Sequence, residues 1–191
     1  MPSQEQKNKF YKILTTARKA NILHPEVITA QWALESGWGA YESGRFNYWG
    51  IKAVGNQKGR YVITHEVVNK KRIKVKAKFR NFSSLSEALM ERAKFTQKGG
   101  RYDKAGYFKA NSPYEAIVAL KNGGYATDPM YVATLISILK SMGIDPYKKY
   151  IVNEKAEEPK KIEGMQECKM KKPSLVKSLT ALITRLFHKK E

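Results

Sequence analysis

The sequence predicts an α+β fold, mostly helical, with one small β-hairpin set between helices. Three observations predict it. Apolar residues recur at helical spacing in several separate stretches. Residues 61–68 and 73–80 read as two strands about a polar turn. Composition shifts after Tyr150, which sets a domain of residues 1–150 apart from an appendage. With 191 residues, 42% of them hydrophobic, one domain plus an appendage is the expected organisation.

The opening helix follows from Phe10, Ile13, Leu14 and Ala17, which share one helical face. Pro25 stands where a first helical residue would. The pattern then runs through Val27, Ile28, Trp32 and Leu34 until Gly37 and Gly39 stop it. A Gly- and aromatic-rich loop extends from Gly37 to Gly59. In the hairpin, Asn69-Lys70-Lys71 forms the turn. The second strand alternates Ile73, Val75, Ala77 and Phe79 with Lys74, Lys76, Lys78 and Arg80, a half-buried strand with a basic outer face. In the first strand Glu66 shares a face with Val62, Thr64 and Val68.

Helical signals then resume. Ser84 with Glu87, and Ser112 with Glu115, fit capping boxes, and Pro113 follows the second at a first helical position. Asp128-Pro129 predicts the start of another helix, carried by Val132, Leu135, Ile136 and Leu139 and ended by Gly143. Residues 151–173 are charged, weakly apolar and hold two prolines, the composition of a linker. Residues 174–191 predict a basic amphipathic helix. Leu175, Val176, Leu179, Leu182, Ile183, Leu186 and Phe187 form its stripe, which is suited to an anionic membrane or lipid surface, to the domain, or to another copy.

The chain carries 36 Lys+Arg against 17 Asp+Glu, a net charge of +19. Such a surface draws polyanions, whether nucleic acid, anionic lipid or an acidic wall polymer. Charge alone does not choose among them. One cysteine, Cys168, excludes an internal disulfide framework, and three histidines at no metal-ligand spacing make a metal site unexpected. No apolar run reaches the ~18 residues of a membrane-spanning helix. The N-terminal residues lack the basic-then-apolar layout of a secretory signal.

Glu35 is the candidate for chemistry. It ends a predicted helix within Trp32-Ala33-Leu34-Glu35-Ser36-Gly37-Trp38-Gly39. A carboxyl held among indole rings is desolvated, which raises its pKa, and a glycosidase acid needs that to keep its proton near neutrality. The other account of the same residues is an exposed helix-end glutamate. Glu66, in the hairpin, offers a second carboxyl or an ordinary strand glutamate. Tyr125, between Gly123-Gly124 and a helix start, is expected to project from its loop.

The segments ALESGWG (33–39), NYWGIK (47–52), Thr64-His65-Glu66, FRNFSS (79–84) and GGYATDP (123–129) occur in that order over about residues 8–147. As an ordered set they resemble the glucosaminidase family of bacterial and phage cell-wall hydrolases. The resemblance implies a lysozyme-like fold, a helical lobe and a small β-hairpin lobe around a cleft. It also implies cofactor-free hydrolysis of the β-1,4 bond after N-acetylglucosamine in peptidoglycan glycan strands. On the matching motifs, Glu35 is the catalytic acid, Glu66 the second carboxylate often assigned as base, and Tyr125 a cleft tyrosine supporting substrate or intermediate. Trp38, Asn47, Trp49 and Tyr131 are expected to bind substrate. Tyr48-Trp49 departs from the more usual Leu-Phe, which touches a sugar subsite rather than the chemistry.

The expected protein is a monomeric lytic enzyme acting on the bacterial cell wall, with no specific nucleic-acid partner. Without a visible signal, delivery would be by phage lysis, by a virion or by leaderless export. Muramidase or lytic transglycosylase chemistry on the same scaffold, or a non-catalytic basic binder of wall polymer or nucleic acid, are the alternatives.

Overall fold

The computed structural model describes residues 1–68 and 71–150, and of residues 65–68 and 71–72 the backbone alone. The expected linker and C-terminal helix therefore lie outside the described residues. Among the described residues are six helices and one hairpin: α1 (Gln4–Lys19), α2 (Pro25–Glu35), β1 (Gly59–Val68), β2 (Lys71–Arg80), α3 (Leu85–Ala93), α4 (Arg101–Lys104), α5 (Pro113–Asn122) and α6 (Tyr131–Ser141). Short 3₁₀ turns at Lys94–Thr96 and Tyr107–Lys109 flank α4.

Helix α1 buries Phe10, Ile13, Leu14 and Ala17, the stripe its spacing predicts. Its start is a full capping box, Ser3 with Gln6, which meets two of the amide groups a helix leaves unpaired. Helix α2 begins at Pro25 as expected and is buried from Glu26 through Ala33. A helix covered all round sits at the centre of a fold, and α2 packs on α1, α5 and α6. The core around it includes Ile28, Trp32, Leu89, Ile117, Leu120 and Leu135.

The hairpin pairs Gly59 with Arg80 at its base and Val68 with Lys71 at its tip. Lys71, expected in the turn, is thus the first residue of β2, and Asn69 and Lys70 lie outside the described residues. Burial on the apolar face of β2 grows toward the base, from Ile73 at 41% exposed to Phe79 at 3%. The base is tied to the loop before it: Arg80 N–H donates to the Ile51 carbonyl at 2.8 Å, and Ala53 N–H to the Lys78 carbonyl at 2.9 Å. Arg80 also bridges to α3, pairing with Glu87 at 2.9 Å and Glu91 at 3.3 Å. The hairpin is therefore a lobe anchored at one end.

Both later caps form in modified shape. Ser84 and Ser112 accept from the amides of Glu87 and Glu115, but the two carboxylates reach one residue further back, to the amides of Ser83 and Asn111. The last helix starts at Tyr131 rather than at Pro129, because the Asp128 carboxylate turns the chain by accepting from Met130 N–H at 2.8 Å.

Candidate active site

Helix α2 stops directly after Glu35. Gly37 takes φ +56°, a left-handed conformation that costs glycine little. Trp38 N–H donates to the Ala33 carbonyl at 2.8 Å, the long closure of a Schellman stop. The Ser36 hydroxyl holds the turn, donating to Trp32 O at 2.6 Å and accepting from Gly39 N–H at 2.8 Å. Glu35 is thus the last helical residue, at the negative end of the helix dipole, where a carboxylate is disfavoured.

Helix α5 ends in the same way and delivers the partner. Gly124 takes φ +74°, its N–H donates to the Lys121 carbonyl, and Tyr125 N–H donates to the Leu120 carbonyl, each at 2.9 Å. The turn sends Tyr125 inward, so the expected loop projection is corrected: the residue is 3% exposed. Its hydroxyl donates to Glu35 Oε1 at 2.5 Å.

Beneath this pair lies a buried polar network. Arg92, 1% exposed, sets its guanidinium 4.9 Å from the centre of the Tyr125 ring and donates from Nη2 to Gln31 Oε1 at 2.9 Å. Gln31 Nε2 donates to the Tyr131 hydroxyl at 2.7 Å, and the Tyr131 ring lies 5.6 Å from that of Tyr125. Burial raises the Glu35 carboxyl to about 7, against the Arg92 charge and the Tyr125 hydrogen bond, which both lower it. Glu35 remains only half-buried as a residue, so the acid is desolvated without being sealed off.

Trp32 and Trp38 both pack on Phe10, at 6.5 and 6.0 Å, while Tyr125 bonds the carboxyl and the Arg92 charge acts on it without an ion pair. Trp38 is half-buried and keeps surface for a ligand. Three other expected substrate contacts are corrected outright. Asn47, Trp49 and Tyr131 are 0%, 1% and 1% exposed, so none presents surface to a sugar. Tyr131 supports Tyr125 from below, and Trp49 fills the core while its neighbour Tyr48 takes the half-buried position.

Asn47 is a loop clamp. Its Nδ2 donates to the carbonyls of Ile51 at 2.7 Å and Arg80 at 2.8 Å, and its Oδ1 accepts from Ile51 N–H at 3.0 Å. Asn47→Ala is expected to lower stability by about 1–3 kcal/mol for each buried partner left unpaired. A thermal melt beside a wall-binding assay checks this: a fall in Tm with binding retained per folded molecule is the expected pair.

Glu66 sits in β1 opposite Ile73, on a strand anchored beside the loop that follows Glu35; its side chain lies outside the described residues. Gln31 and Arg92 were not singled out in the sequence. Both carried a signal. Gln31 lies one helical turn before Glu35 on the same face, and Arg92 falls on the buried stripe of α3 with Ala88 and Leu89, where a charged residue calls for a reason.

Residues 11–144 match the model of the Glucosaminidase family, described as mannosyl-glycoprotein endo-beta-N-acetylglucosaminidase. The chain is 41% identical over 138 residues to the peptidoglycan hydrolase FlgJ of Salmonella typhimurium, covering 66% of this chain and 43% of that protein. It is 36% identical over 130 residues to the exo-glucosaminidase LytG of Bacillus subtilis, covering 64% and 45%. The chain thus spans less than half the length of these relatives. Its fold is similar to the C-terminally truncated glycoside hydrolase domain of Salmonella typhimurium FlgJ, with TM-score 0.59 and 36% identity over 72% of this chain and 97% of that one.

Proposed function

The chain belongs to the glucosaminidase family, and from that membership we propose that it is a peptidoglycan hydrolase cleaving the β-1,4 bond after N-acetylglucosamine, with Glu35 as general acid. The observation that supports this most is the state of Glu35: a carboxyl raised to about 7 by burial, with one oxygen engaged by Tyr125 at 2.5 Å. A donor tuned near the working pH holds its proton in the resting enzyme and releases it readily in the transition state.

With Oε1 engaged by Tyr125, Oε2 is left to carry the proton toward the glycosidic oxygen. As the glycosidic C–O bond breaks, that proton passes to the leaving oxygen and Glu35 becomes a carboxylate. The anomeric carbon is taken by water activated at Glu66, or first by the acetamido oxygen of the substrate; Glu35 acts as acid in both routes. The half-buried rings of Trp38 and Tyr48 offer apolar faces for sugar C–H surfaces. The site of action is the bacterial cell wall, with the basic, amphipathic sequence of residues 174–190 holding the enzyme on an anionic surface.

Mass spectrometry of fragments released from purified wall tests the bond. Products ending in reducing N-acetylglucosamine are expected. Products ending in reducing or anhydro muramic acid would overturn the assignment in favour of muramidase or lytic transglycosylase chemistry.

A further inference from the structure

We propose that Arg92 is a positioning residue of this site, a buried guanidinium that acts through the Tyr125 ring as the counter-charge of Glu35 once the proton has left. The proposal rests on Glu35 being the acid of the reading above. It deepens that reading by naming what meets the new negative charge.

Arg92 is set apart by how little compensates it. It is 1% exposed. Its protein hydrogen bond is to Gln31 Oε1 at 2.9 Å, while Nε and Nη1 meet no protein acceptor. No ion pair among the described residues includes it. A buried cation without a partner is strongly disfavoured, so its placement calls for something in its surroundings to balance it. What surrounds it is aromatic: Tyr125 at 4.9 Å and Phe95 at 5.7 Å from the guanidinium, whose π-faces attract a cation.

The ionisable groups whose charge is felt at Arg92 are Tyr125 from the loop after α5, Glu35 from α2, Tyr107 from the turn after α4, and Tyr131 from α6. Burial pushes Tyr107 up to about 12 and holds Tyr125 and Tyr131 well above the ordinary tyrosine value. None of the three phenols ionises where a glycosidase acid works. Glu35 is therefore the member of this set that becomes anionic near neutral pH. The Tyr125 ring lies against Arg92 on one side, and its hydroxyl reaches Glu35 on the other. Gln31, one turn before Glu35 on α2, keeps Arg92 in register with the helix that carries the acid.

The test is the pH dependence of kcat and kcat/KM on purified wall for wild type, Arg92→Met, Arg92→Gln and Arg92→Lys. The charge-free variants are expected to move the alkaline limb to higher pH and to lower the plateau kcat with KM kept. Arg92→Lys should bring the limb back toward wild type. An unmoved limb, with rates falling only as the folded fraction falls, would overturn the proposal.

Should the charge-free variants not fold, the wild-type protein still decides. The ¹⁵Nε signal of Arg92 is expected to step with pH at the midpoint of the Glu35 carboxyl. A flat response while Glu35 titrates would contradict the coupling. Neither signal needs a glycan, so this outcome is separable from the bond cleaved. A Glu35 midpoint at the ordinary carboxylate value would instead sink the general-acid reading.

Discussion

Glu35→Gln is expected to remove glycan cleavage almost entirely, by on the order of 10²–10⁴-fold, the usual contribution of a positioned acid. The substitution keeps shape and leaves an oxygen to accept from Tyr125, which donates to Oε1 at 2.5 Å. It takes away only the transferable proton. Stability should change in the opposite sense to activity. The Glu35 carboxyl stands at about 7 in the folded chain against 4.5 as its ordinary value. Folded protein therefore holds the proton more tightly than unfolded protein, and this contribution is complete below pH 4.5 and lost as pH rises through about 7. Above that window wild type carries a buried carboxylate and the variant does not. Glu35→Gln should then be the more stable of the two, by at most about 3 kcal/mol. Denaturant melts at pH 5 and pH 8, run beside a wall-clearing assay, read both effects. Clearing at the wild-type rate by a folded Gln variant would end the assignment.

Tyr125→Phe carries the second-largest expected effect. The hydroxyl donates to Glu35 and lowers its pKa, while the ring covers Arg92 and Tyr131. Phenylalanine keeps the ring and loses the hydroxyl. A hydrogen bond to a charged group is worth about 1.5–3 kcal/mol, so plateau turnover should drop roughly ten- to hundredfold. The sign of the pH effect is fixed by the same bond. Without it the Glu35 pKa rises further, the protonated form persists to higher pH, and the alkaline limb moves up. The deficit relative to wild type should accordingly be widest in mild acid and narrow above pH 7. A variant with a uniform deficit at every pH would mean that the bond orients the acid without tuning it.

The parts of this molecule that were legible in the sequence are those written in local periodicity. Phe10, Ile13, Leu14 and Ala17 lie on one helical face, Pro25 opens α2, and the alternation in residues 73–80 is the pleat of β2. Each depends on neighbours a few positions away. Glu35 was legible too, because the Gly37 stop that exposes its end of the helix is part of the same short segment. The network of partners around its carboxyl was not. Tyr125 meets Glu35 across 90 positions, Arg92 meets Gln31 across 61, and Gln31 meets Tyr131 across 100. No spacing rule encodes contacts that exist only once α2, α3 and α6 have packed.

The same limit explains the substrate contacts that were placed wrongly. Asn47 and Trp49 lie in a Gly-rich loop beside the acid, and such loops ordinarily face solvent. Here the loop is pinned to the base of the hairpin by Arg80 and Ile51, and Asn47 supplies three of the hydrogen bonds that pin it. Burial of the loop's inner side follows from that pinning. Of the loop's aromatic residues Tyr41 is exposed and Trp38, Phe46 and Tyr48 are half-buried, so these and not Trp49 keep part of a ring toward the outside.

Carboxyl ¹³C NMR of Glu35, followed from pH 3 to pH 10 in the free protein and identified by the signal lost in Glu35→Gln, tests the central claim most directly. A desolvated acid bonded to Tyr125 should titrate with a midpoint near 7. A midpoint at the ordinary glutamate value of 4.5 would show a solvated carboxylate, already ionised at neutral pH and with no proton to give.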